Sequence, residues 1–412
     1  MPYMNHQRVA IVDAYASGAL VPPILQKEGI DCLMVKSSTT IHHPGHITSY
    51  RPEDFLDIIL FDGSIENTAQ KLLDQQVTYI FAGSDTGSEL ADHLSLAIST
   101  PANKAGLVEA RRNKFLMIDT LRKNKVRAAA QFCTADRSAL LQWCEQTNKW
   151  PLVVKPLNSS RSRGVYRCGS ESEVAIAFDQ IINARNVYGE FNEQVLAQEF
   201  LFGTEYVVDT VSWNGHHRIV AIWKYLKPEE PALAMRHRGM ELLPYEGDTQ
   251  KQLIEYIIRA LDALGVHHGA SHCEVILTPE GPALVEMATR MNGGKNPVLP
   301  EVCTGYGQLN GIVETIIDPD RFLSRPPGYQ LFSQGIILFL MAEKEGELKA
   351  VPGESGLKAL ASYHDMSIIP EHGQFVSKFP GWLMLIHEEE QVLLQDVQKV
   401  LDLEKNGLFI IE

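Results

Sequence analysis

The chain has 412 residues, of which 45% are hydrophobic and 21% are charged, with 37 Lys and Arg against 51 Asp and Glu. This composition is typical of a globular protein of two or three domains and excludes a mainly disordered chain. The net charge of −14 argues against nucleic acid as a partner, so a polyanionic small ligand would need a local cluster of cations.

The sequence predicts a cytoplasmic location and no membrane partner. The longest apolar run, from Ile336 to Ala342, is far shorter than the ~20 residues that a membrane-spanning helix needs. The polar start of the chain contains no apolar segment long enough for a signal peptide. No two cysteines have the spacing of a zinc site or a CxxC motif, so we expect free, buried thiols in a reducing compartment, at positions 32, 133, 144, 168, 273 and 303.

Residues 1–105 alternate between short apolar runs and helical stretches. Val9–Val12, Ile58–Phe61 and Tyr79–Phe81 are among the predicted strands. This alternation predicts a domain with a parallel sheet and helices on its faces. The turn after the first strand, Asp13–Gly18, lacks the GxGxxG pattern, so a structural turn is favoured there and an NAD-dependent oxidoreductase is disfavoured.

The rest of the chain is predicted to form a linker and two further domains. The linker contains an amphipathic helix at about Leu107–Asn124, and the long strand Thr204–Trp213 opens a C-terminal domain rich in β-strands. A terminal α/β subdomain is expected from about residue 330. The predicted boundaries are 106–127 for the linker, 128–202 for the central domain and 203–412 for the C-terminal domain.

Two glutamates in adjacent predicted strands form the sharpest pattern. A five-residue loop at Thr278–Pro282 would place Glu274 directly opposite Glu286, with their Cβ atoms ~5 Å apart. Two carboxylates this close repel, and a bound divalent cation such as Mg²⁺ removes the conflict. A solvated hairpin face is the alternative, and a register slip of one residue would separate the pair. The opposite, apolar face is predicted to consist of Val275, Leu277, Val285 and Met287.

Cationic residues occur where phosphates could bind. Lys155 ends an apolar strand and precedes a polar loop, Asn158–Gly164, that could cover phosphates. Arg290 follows Glu286 by four residues and could neutralise a transferring phosphoryl group. Taken alone, Lys155 and this loop are better explained by a snorkelling side chain and an ordinary hairpin loop.

In this order, the segments resemble the ATP-grasp superfamily of carboxylate–amine ligases. The resemblance runs from about Asn103 to Gly294. It implies an α/β protein with an N-terminal Rossmann-like parallel-sheet domain, a central lid domain and a C-terminal antiparallel-sheet domain. It also implies ATP as a substrate and Mg²⁺ as a cofactor, with Mn²⁺ as an alternative metal.

The resemblance implies a role for each motif. Glu274 and Glu286 match the two magnesium ligands, and Arg290 matches the arginine that steadies phosphate and acyl phosphate. The implied ATP-binding residues are Lys114 and Lys155 for the phosphates, Ser159, Ser160 and Gly164 in the mobile phosphate loop, Glu199, Phe200 and Leu201 at the adenine hinge, and Glu205 at the ribose.

Two departures from the family pattern concern the metal and the loop. Many members have Asn two residues after the second metal-binding Glu, whereas this chain has Ala288, which is similar to the bacterial L-amino-acid ligases that join two amino acids. The phosphate loop of the family usually carries several glycines. Here Gly164 is the clear one, with Arg161 and Arg163 beside it.

The residues that bind the substrates are harder to assign. His237 is a candidate for assisting deprotonation of the amine, and its neighbour Arg238 for binding a carboxylate, although a solvated basic loop explains both equally well. Gly293 and Gly294 could bring backbone N–H groups to a substrate or form a plain turn. Glu89 could bind a substrate amine, but a carboxylate at a helix N-terminus is commoner.

The predicted function is an ATP-dependent ligase. An amino-acid carboxylate would be phosphorylated by ATP, and an amine would displace phosphate from the acyl phosphate to form an amide, most simply a dipeptide. The partners would be amino acids, bound as small-molecule substrates. A homodimer is an open alternative to a monomer. The competing hypotheses are another ATP-grasp acid–amine ligase or carboxylase, and a non-catalytic ATP-binding regulator.

Overall fold

A four-stranded parallel sheet forms the first part of the chain, as the alternation of strands and helices predicts. In the computed structural model, which describes residues 7–159, 163–186, 189–228, 236–368 and 371–412, the strand order of this sheet is β3-β2-β1-β4. Buried aliphatic side chains cover both of its faces. The elements are β1 (Arg8–Val12), α1 (Pro22–Lys27), β2 (Asp31–Lys36), α2 (Pro44–Ser49), β3 (Asp57–Leu60), α3 (Ile65–Asp74), β4 (Val77–Ala82) and α4 (Ser88–Ala97).

The linker helix is shorter than predicted. Helix α5 (Lys114–Lys123) begins at Lys114, because the Asn113 side chain accepts hydrogen bonds from the N–H groups of Phe115 and Leu116 and so caps the helix there. Two 3₁₀ turns precede it. Lys114 therefore lies in the first turn of the helix.

A buried ion pair joins the N-terminal domain to the linker and to the C-terminal domain. Arg111 is 2% exposed, and its Nη2 lies 2.8 Å from Asp92 Oδ2 on α4. The same guanidinium donates to the carbonyl oxygen of Leu264 at 3.0 Å. Asn103 donates to Asp92 and accepts from the backbone N–H of His267. These contacts fix the relative position of the two domains.

A four-stranded antiparallel sheet forms the central domain. Its strand order is β5-β8-β6-β7, and two helices pack on one core with it. The elements are β5 (Gln131–Thr134), α6 (Arg137–Thr147), β6 (Leu152–Lys155), β7 (Tyr166–Cys168), α7 (Glu171–Ile181) and β8 (Val195–Glu199).

An eight-stranded antiparallel sheet is the framework of the C-terminal domain. Its order is β13-β12-β9-β10-β11-β14-β18-β16, so strands from the last eighty residues extend the sheet that the earlier strands begin. The strands are β9 (Thr204–Trp213), β10 (His216–Leu226), β11 (Gly239–Leu243), β12 (Gly269–Thr278), β13 (Gly281–Ala288), β14 (Gln334–Leu340), β15 (Gly346–Ala350), β16 (Tyr363–Ile368), β17 (Phe375–Val376), β18 (Gly381–His387) and β19 (Ile410–Ile411).

The strands β15, β17 and β19 form a separate small sheet, and six helices complete the domain. The helices are α8 (Asp248–Ala263), α9 (Val298–Thr304), α10 (Gln308–Ile317), α11 (Pro319–Ser324), α12 (Glu354–Lys358) and α13 (Glu390–Lys405). None of the helices within the described ranges is long and apolar enough to cross a bilayer. All six cysteines are unpaired, and all except Cys133 are buried.

Candidate active site

The predicted pairing of Glu274 with Glu286 is confirmed, although by a different route. The turn of the β12–β13 hairpin is tighter than the predicted five-residue loop, with Thr278 paired to Gly281. A β-bulge between Glu274 and Val275 then restores the pairing of Glu274 with Glu286.

The bulge also changes the apolar face of this hairpin. Val275 pairs with Leu284, and Leu284 joins Val275 and Met287 in the core beneath the sheet. Val285 is only partly buried and does not belong to this core, so its predicted place on the apolar face with Val275 and Met287 was wrong. We refer to Glu274 and Glu286 as the carboxylate pair.

Polar neighbours hold Glu274 in its ionised form. The Tyr225 hydroxyl donates to Glu274 Oε1 at 2.9 Å, and His272 Nε2 lies 3.7 Å from the same oxygen. Burial alone would raise the pKa of Glu274, but His272 and Tyr225 lower it to about 2. His272 is itself paired with Asp209 at 2.8 Å, which raises the imidazole pKa to about 9 although burial opposes this.

The two predicted phosphate-binding lysines lie beside the carboxylate pair. Lys114 Nζ is 2.6 Å from Glu286 Oε2 and donates to the carbonyl oxygen of Ser159 at 3.2 Å. Lys155 is 5% exposed. Burial and the positive charge of Lys114 lower the Lys155 pKa to about 8, while Glu286 and Glu274 act in the opposite direction. The electrostatic influence of these groups on Lys155 places all four in one cluster.

The donor atoms of the carboxylate pair fit Mg²⁺. Their oxygens are hard ligands, and Mg²⁺ is usually bound by one or two carboxylates together with substrate phosphates. Among the residues that the structure describes, no group of three His, Cys, Asp or Glu side chains could hold a metal by itself.

Glu205, the predicted ribose ligand, lies at the start of β9 in contact with His237. Nε2 of His237 is 3.0 Å from Glu205 Oε2, and Lys227 is paired with the same oxygen. The His237 ring stacks on Tyr225 with 3.6 Å between ring centroids. Burial raises the pKa of Glu205, but His237 and Lys227 more than offset this and lower it. His237 therefore lies between the predicted ribose ligand and the tyrosine that contacts Glu274.

Arg290 is held by an aspartate from the N-terminal domain. Its Nε lies 2.9 Å from Asp85 Oδ1, and its Nη2 lies 3.0 Å from Asp85 Oδ2. The Arg290 charge opposes the rise in the His272 pKa that Asp209 causes.

The predicted adenine hinge lies where β8 ends in the central domain. The Glu199 N–H donates to the Ala130 carbonyl oxygen, and the Glu199 carboxylate accepts from the Ala130 N–H at 3.1 Å and from Lys149 at 3.0 Å. Phe200 packs edge-on against Phe202, and Leu201 is partly buried. The Glu199 side chain thus stabilises the local structure through its bonds to Ala130 and Lys149.

The polar loop after β6 is described only at its two ends. The Ser159 hydroxyl donates to the carbonyl oxygen of Arg163 at 2.9 Å, which closes the base of the loop. Gly164 has a φ of +72°, a conformation that glycine adopts without strain. Ser160 and Arg161 lie outside the described residues.

None of the four predicted substrate residues is brought into contact with this cluster by a hydrogen bond within the described ranges. Arg238 is buried and bonded to Glu404 of α13 and to the Phe339 carbonyl oxygen, so its guanidinium stabilises the C-terminal domain. Glu89 is exposed at the first turn of α4, 3.9 Å from His93. Gly293 lies in a loop, and a Cβ atom added to it would meet no other atom within 4 Å.

Gly294 follows in the same loop with a φ of +61°, and a Cβ atom added to it would also meet no other atom within 4 Å. The loop follows directly after Asn292, a buried residue that donates to Asp209 at 2.9 Å.

Sequence reasoning missed Asp85, Tyr225 and Asp209. Asp209 was detectable as a carboxylate in the apolar middle of strand β9, where a buried acid needs a partner. Asp85 follows β4 directly, at the strand end where side chains of a parallel sheet meet ligands. Nothing local distinguishes Tyr225, because alternation only assigns it to a strand face.

Comparison with known proteins agrees with this geometry. Residues 148–297 match the ATP-grasp domain family. Dapdiamide A synthase from Enterobacter agglomerans is 27% identical over 97% of this chain and 96% of its own length. The L-amino acid ligase from Bacillus licheniformis superposes with a TM-score of 0.76 at 15% identity, covering 96% of this chain and 97% of its own.

The fold is also shared with a carboxylase. The biotin carboxylase domain of 2-oxoglutarate carboxylase from Hydrogenobacter thermophilus, solved with MgADP and bicarbonate, has a TM-score of 0.67 at 12% identity, covering 98% of this chain and 90% of its own. Together these matches show that the chain has the ATP-grasp fold. It carries an ATP-grasp domain and resembles ATP-grasp carboxylate–amine ligases along nearly its whole length.

Proposed function

We propose that the protein is an ATP-dependent ligase that joins an amino-acid carboxylate to an amine, most simply the amine of a second amino acid. The observation that carries this proposal is the cluster of Lys114, Lys155 and the carboxylate pair, with Arg290 close to it. It provides the local positive charge and the oxygen ligands that MgATP needs in a chain of net charge −14.

The reaction needs activation of the carboxylate, because an oxide ion is a very poor leaving group. In the proposed first step, a carboxylate oxygen attacks the γ-phosphorus of ATP, the bond to the β-phosphate oxygen breaks, and ADP leaves. The amine nitrogen then attacks the acyl carbon, and inorganic phosphate leaves as the amide forms. The protein positions the reactants and neutralises charge that shifts between oxygens.

Each residue of the site has a proposed role that follows from its position. Lys114 and Lys155 would bind ATP phosphates, and the carboxylate pair would hold Mg²⁺, or Mn²⁺ in its place, which supplies further neutralisation of the phosphates. Arg290 would steady the acyl phosphate. The backbone of Glu199, Phe200 and Leu201 would hold adenine in the proposed nucleotide site.

Ribose binding would couple the nucleotide to His237. A ribose hydroxyl bound at Glu205 would compete with His237 for Oε2 of that carboxylate. The imidazole would then be available to take the proton that the attacking amine loses. His237 is therefore the proposed base, and its stacking on Tyr225 keeps it beside Glu274.

The amino-acid substrates are proposed from two lines of support. A full-length relative carries the name of a dapdiamide synthase, and a neighbour of the same fold is an L-amino acid ligase. Ala288 stands where many ATP-grasp enzymes have a metal-binding amide. In this chain Ala288 pairs across the sheet with His272, so an imidazole occupies the neighbourhood of the expected amide.

Phosphate release from ATP across a matrix of amino-acid pairs, with the product mass determined, tests the proposal. We expect release that depends on Mg²⁺ and on both amino acids, and a product whose mass equals their sum less one water. Binding of MgATP without release in any pair would instead support the non-catalytic regulator. Release with bicarbonate and one acceptor would support the carboxylase alternative.

A further inference from the structure

The Asp85–Arg290 ion pair joins the first turn after the parallel sheet to the strand that carries Glu286. Two parallel contacts, 2.9 Å and 3.0 Å long, link both carboxylate oxygens to Nε and Nη2. A bidentate pair of this kind fixes the plane of the guanidinium as well as its distance. Nη1 donates to the Met291 carbonyl oxygen at 2.7 Å, which adds a third fixed point.

The turn that carries Asp85 is itself held rigidly. Asp13, which is 1% exposed, accepts hydrogen bonds from the Thr86 hydroxyl at 2.6 Å and from the Ser37 N–H at 2.8 Å. A Cβ atom on Gly87 would lie 2.4 Å from the Val12 carbonyl oxygen, so the backbone of this turn is in close contact with the end of β1. A movement of Asp85 would therefore also disturb the end of β1.

The charges around Asp85 favour its ionised form. Burial raises the pKa of Asp85, but the charges of Arg290, Arg112 and Lys114 outweigh burial and hold this pKa well below its usual range. Asp85 is therefore the ionised partner that Nε and Nη2 of Arg290 both contact.

We infer that Asp85 is a positioning residue, which holds the Arg290 guanidinium in the orientation in which it contacts the acyl phosphate. This inference rests on the function proposed above and assigns to the N-terminal domain a part in the phosphoryl transfer step. It separates phosphate neutralisation by Arg290 from metal binding by Glu274 and Glu286.

Asp85→Asn tests the inference in the complete chain. The amide keeps the shape of the side chain but places an N–H₂ donor against an Arg donor, so the bidentate contact is lost. We expect kcat for phosphate release to fall about 10- to 100-fold, by analogy with residues that orient a ligand without touching the substrate. The Kd for MgATP should change less than about threefold.

Two comparisons separate positioning from general destabilisation. Glu314→Gln removes the charge from a buried acid that pairs with Arg321 and Arg325, and this variant should keep the wild-type kcat. Arg290→Lys combined with Asp85→Asn should be no slower than Arg290→Lys alone, because both changes remove the same aimed guanidinium. Fully additive losses, or an equal loss in Glu314→Gln, would overturn the inference. A raised KM for one amino acid at unchanged kcat would also overturn it, since Asp85 would then be a substrate ligand.

A crystal structure of Asp85→Asn provides a readout that does not depend on turnover. We expect the Arg290 guanidinium to leave its present position. If it stays there, the inference fails even when wild-type ligase activity is established. If wild type releases no phosphate with any substrate pair but Arg290 is displaced in the variant, the proposed function fails and the positioning by Asp85 stands.

Discussion

Lys114 Nζ lies 2.6 Å from Glu286 Oε2, so a proposed phosphate-binding cation and a proposed metal ligand neutralise each other directly. Binding of MgATP would exchange this contact for two others, between the lysine and a phosphate and between the carboxylate and Mg²⁺. After this exchange, the lysine and the carboxylate would each still have an oppositely charged partner. Nucleotide affinity and metal affinity should therefore be linked through this pair.

Glu286→Gln should lower Mg²⁺-dependent phosphate release by at least about 100-fold. The change removes a proposed metal ligand, whose loss should cost at least as much as that of a residue that only orients a ligand. Release would be measured over a Mg²⁺ titration at saturating ATP. Glu280→Gln, in the exposed turn of the same hairpin, is the matched control and should behave as wild type. Wild-type release in Glu286→Gln at moderate Mg²⁺ would exclude the metal assignment.

MgATP affinity should fall as the pH rises through about 8. The Lys155 pKa is lowered to about 8, mainly by burial, so this lysine loses its charge, and with it the attraction to phosphate, above that pH. Affinity should drop by up to about tenfold per pH unit there. Isothermal titration from pH 6.5 to 9.5 would measure it. Lys155→Met should bind more weakly and lack this pH dependence. The same slope in both proteins would contradict the assignment.

The lowered pKa of Lys155 also predicts the direction in which the free energy of unfolding changes with pH. The folded state releases the Lys155 proton at about pH 8, whereas an unfolded lysine keeps its proton to about pH 10.4. The unfolded state therefore binds more protons between these values, and the free energy of unfolding attributable to Lys155 rises with pH across this window. Urea unfolding at pH 7.5 and pH 9.5 should show a larger gain in wild type than in Lys155→Met. An equal gain would show that Lys155 is not the group responsible.

Tyr225→Phe should weaken Mg²⁺ binding by about 10- to 100-fold while leaving the fold intact. The lost hydroxyl donates to Glu274 Oε1 at 2.9 Å and so orients a proposed metal ligand. The concentration of Mg²⁺ that gives half-maximal phosphate release would report the effect. Tyr245→Phe, whose ring packs edge-on against Tyr329, is the control and should not change this concentration. Identical behaviour of the two variants would rule out a role for the Tyr225 hydroxyl.

Arg111→Met should destabilise the protein by about 3–5 kcal/mol, because it leaves the buried Asp92 carboxylate without its ion-pair partner. Denaturant unfolding followed by circular dichroism would measure the loss. Arg137→Met removes one partner of an ion pair that is about half exposed on both sides, and should cost less than about 1 kcal/mol. Equal losses in the two variants would show that Arg111 does not join the domains.

Periodicity and strand alternation were sufficient for the parts of the fold that depend on local sequence. The parallel sheet of the N-terminal domain and the pairing of Glu274 with Glu286 are both confirmed. The linker helix was predicted too long, because the Asn113 cap is a specific side-chain contact that an amphipathic pattern does not contain. The five-residue hairpin loop was wrong, yet the pairing held because the tighter turn and the bulge compensate.

The parts of the site that could not be predicted depend on contacts between distant segments. Asp85 and Arg290 are 205 positions apart, and only the packing of the N-terminal domain on the C-terminal domain brings them together. Arg238 belonged to a basic loop in sequence, but its partner, Glu404, lies in the last helix. A charged residue reveals its partner in the linear sequence only when both lie in one element or in paired strands.

The β-bulge between Glu274 and Val275 separates the tip of the β12–β13 hairpin from the carboxylate pair. Thr278 pairs with Gly281 across a two-residue turn on one side of the bulge, and Glu274 pairs with Glu286 on the other. Relatives of this protein can therefore gain a residue at the tip and lose the bulge with the carboxylates still opposed. A hairpin with one more residue at its tip and no bulge is compatible with the same pairing of the two glutamates.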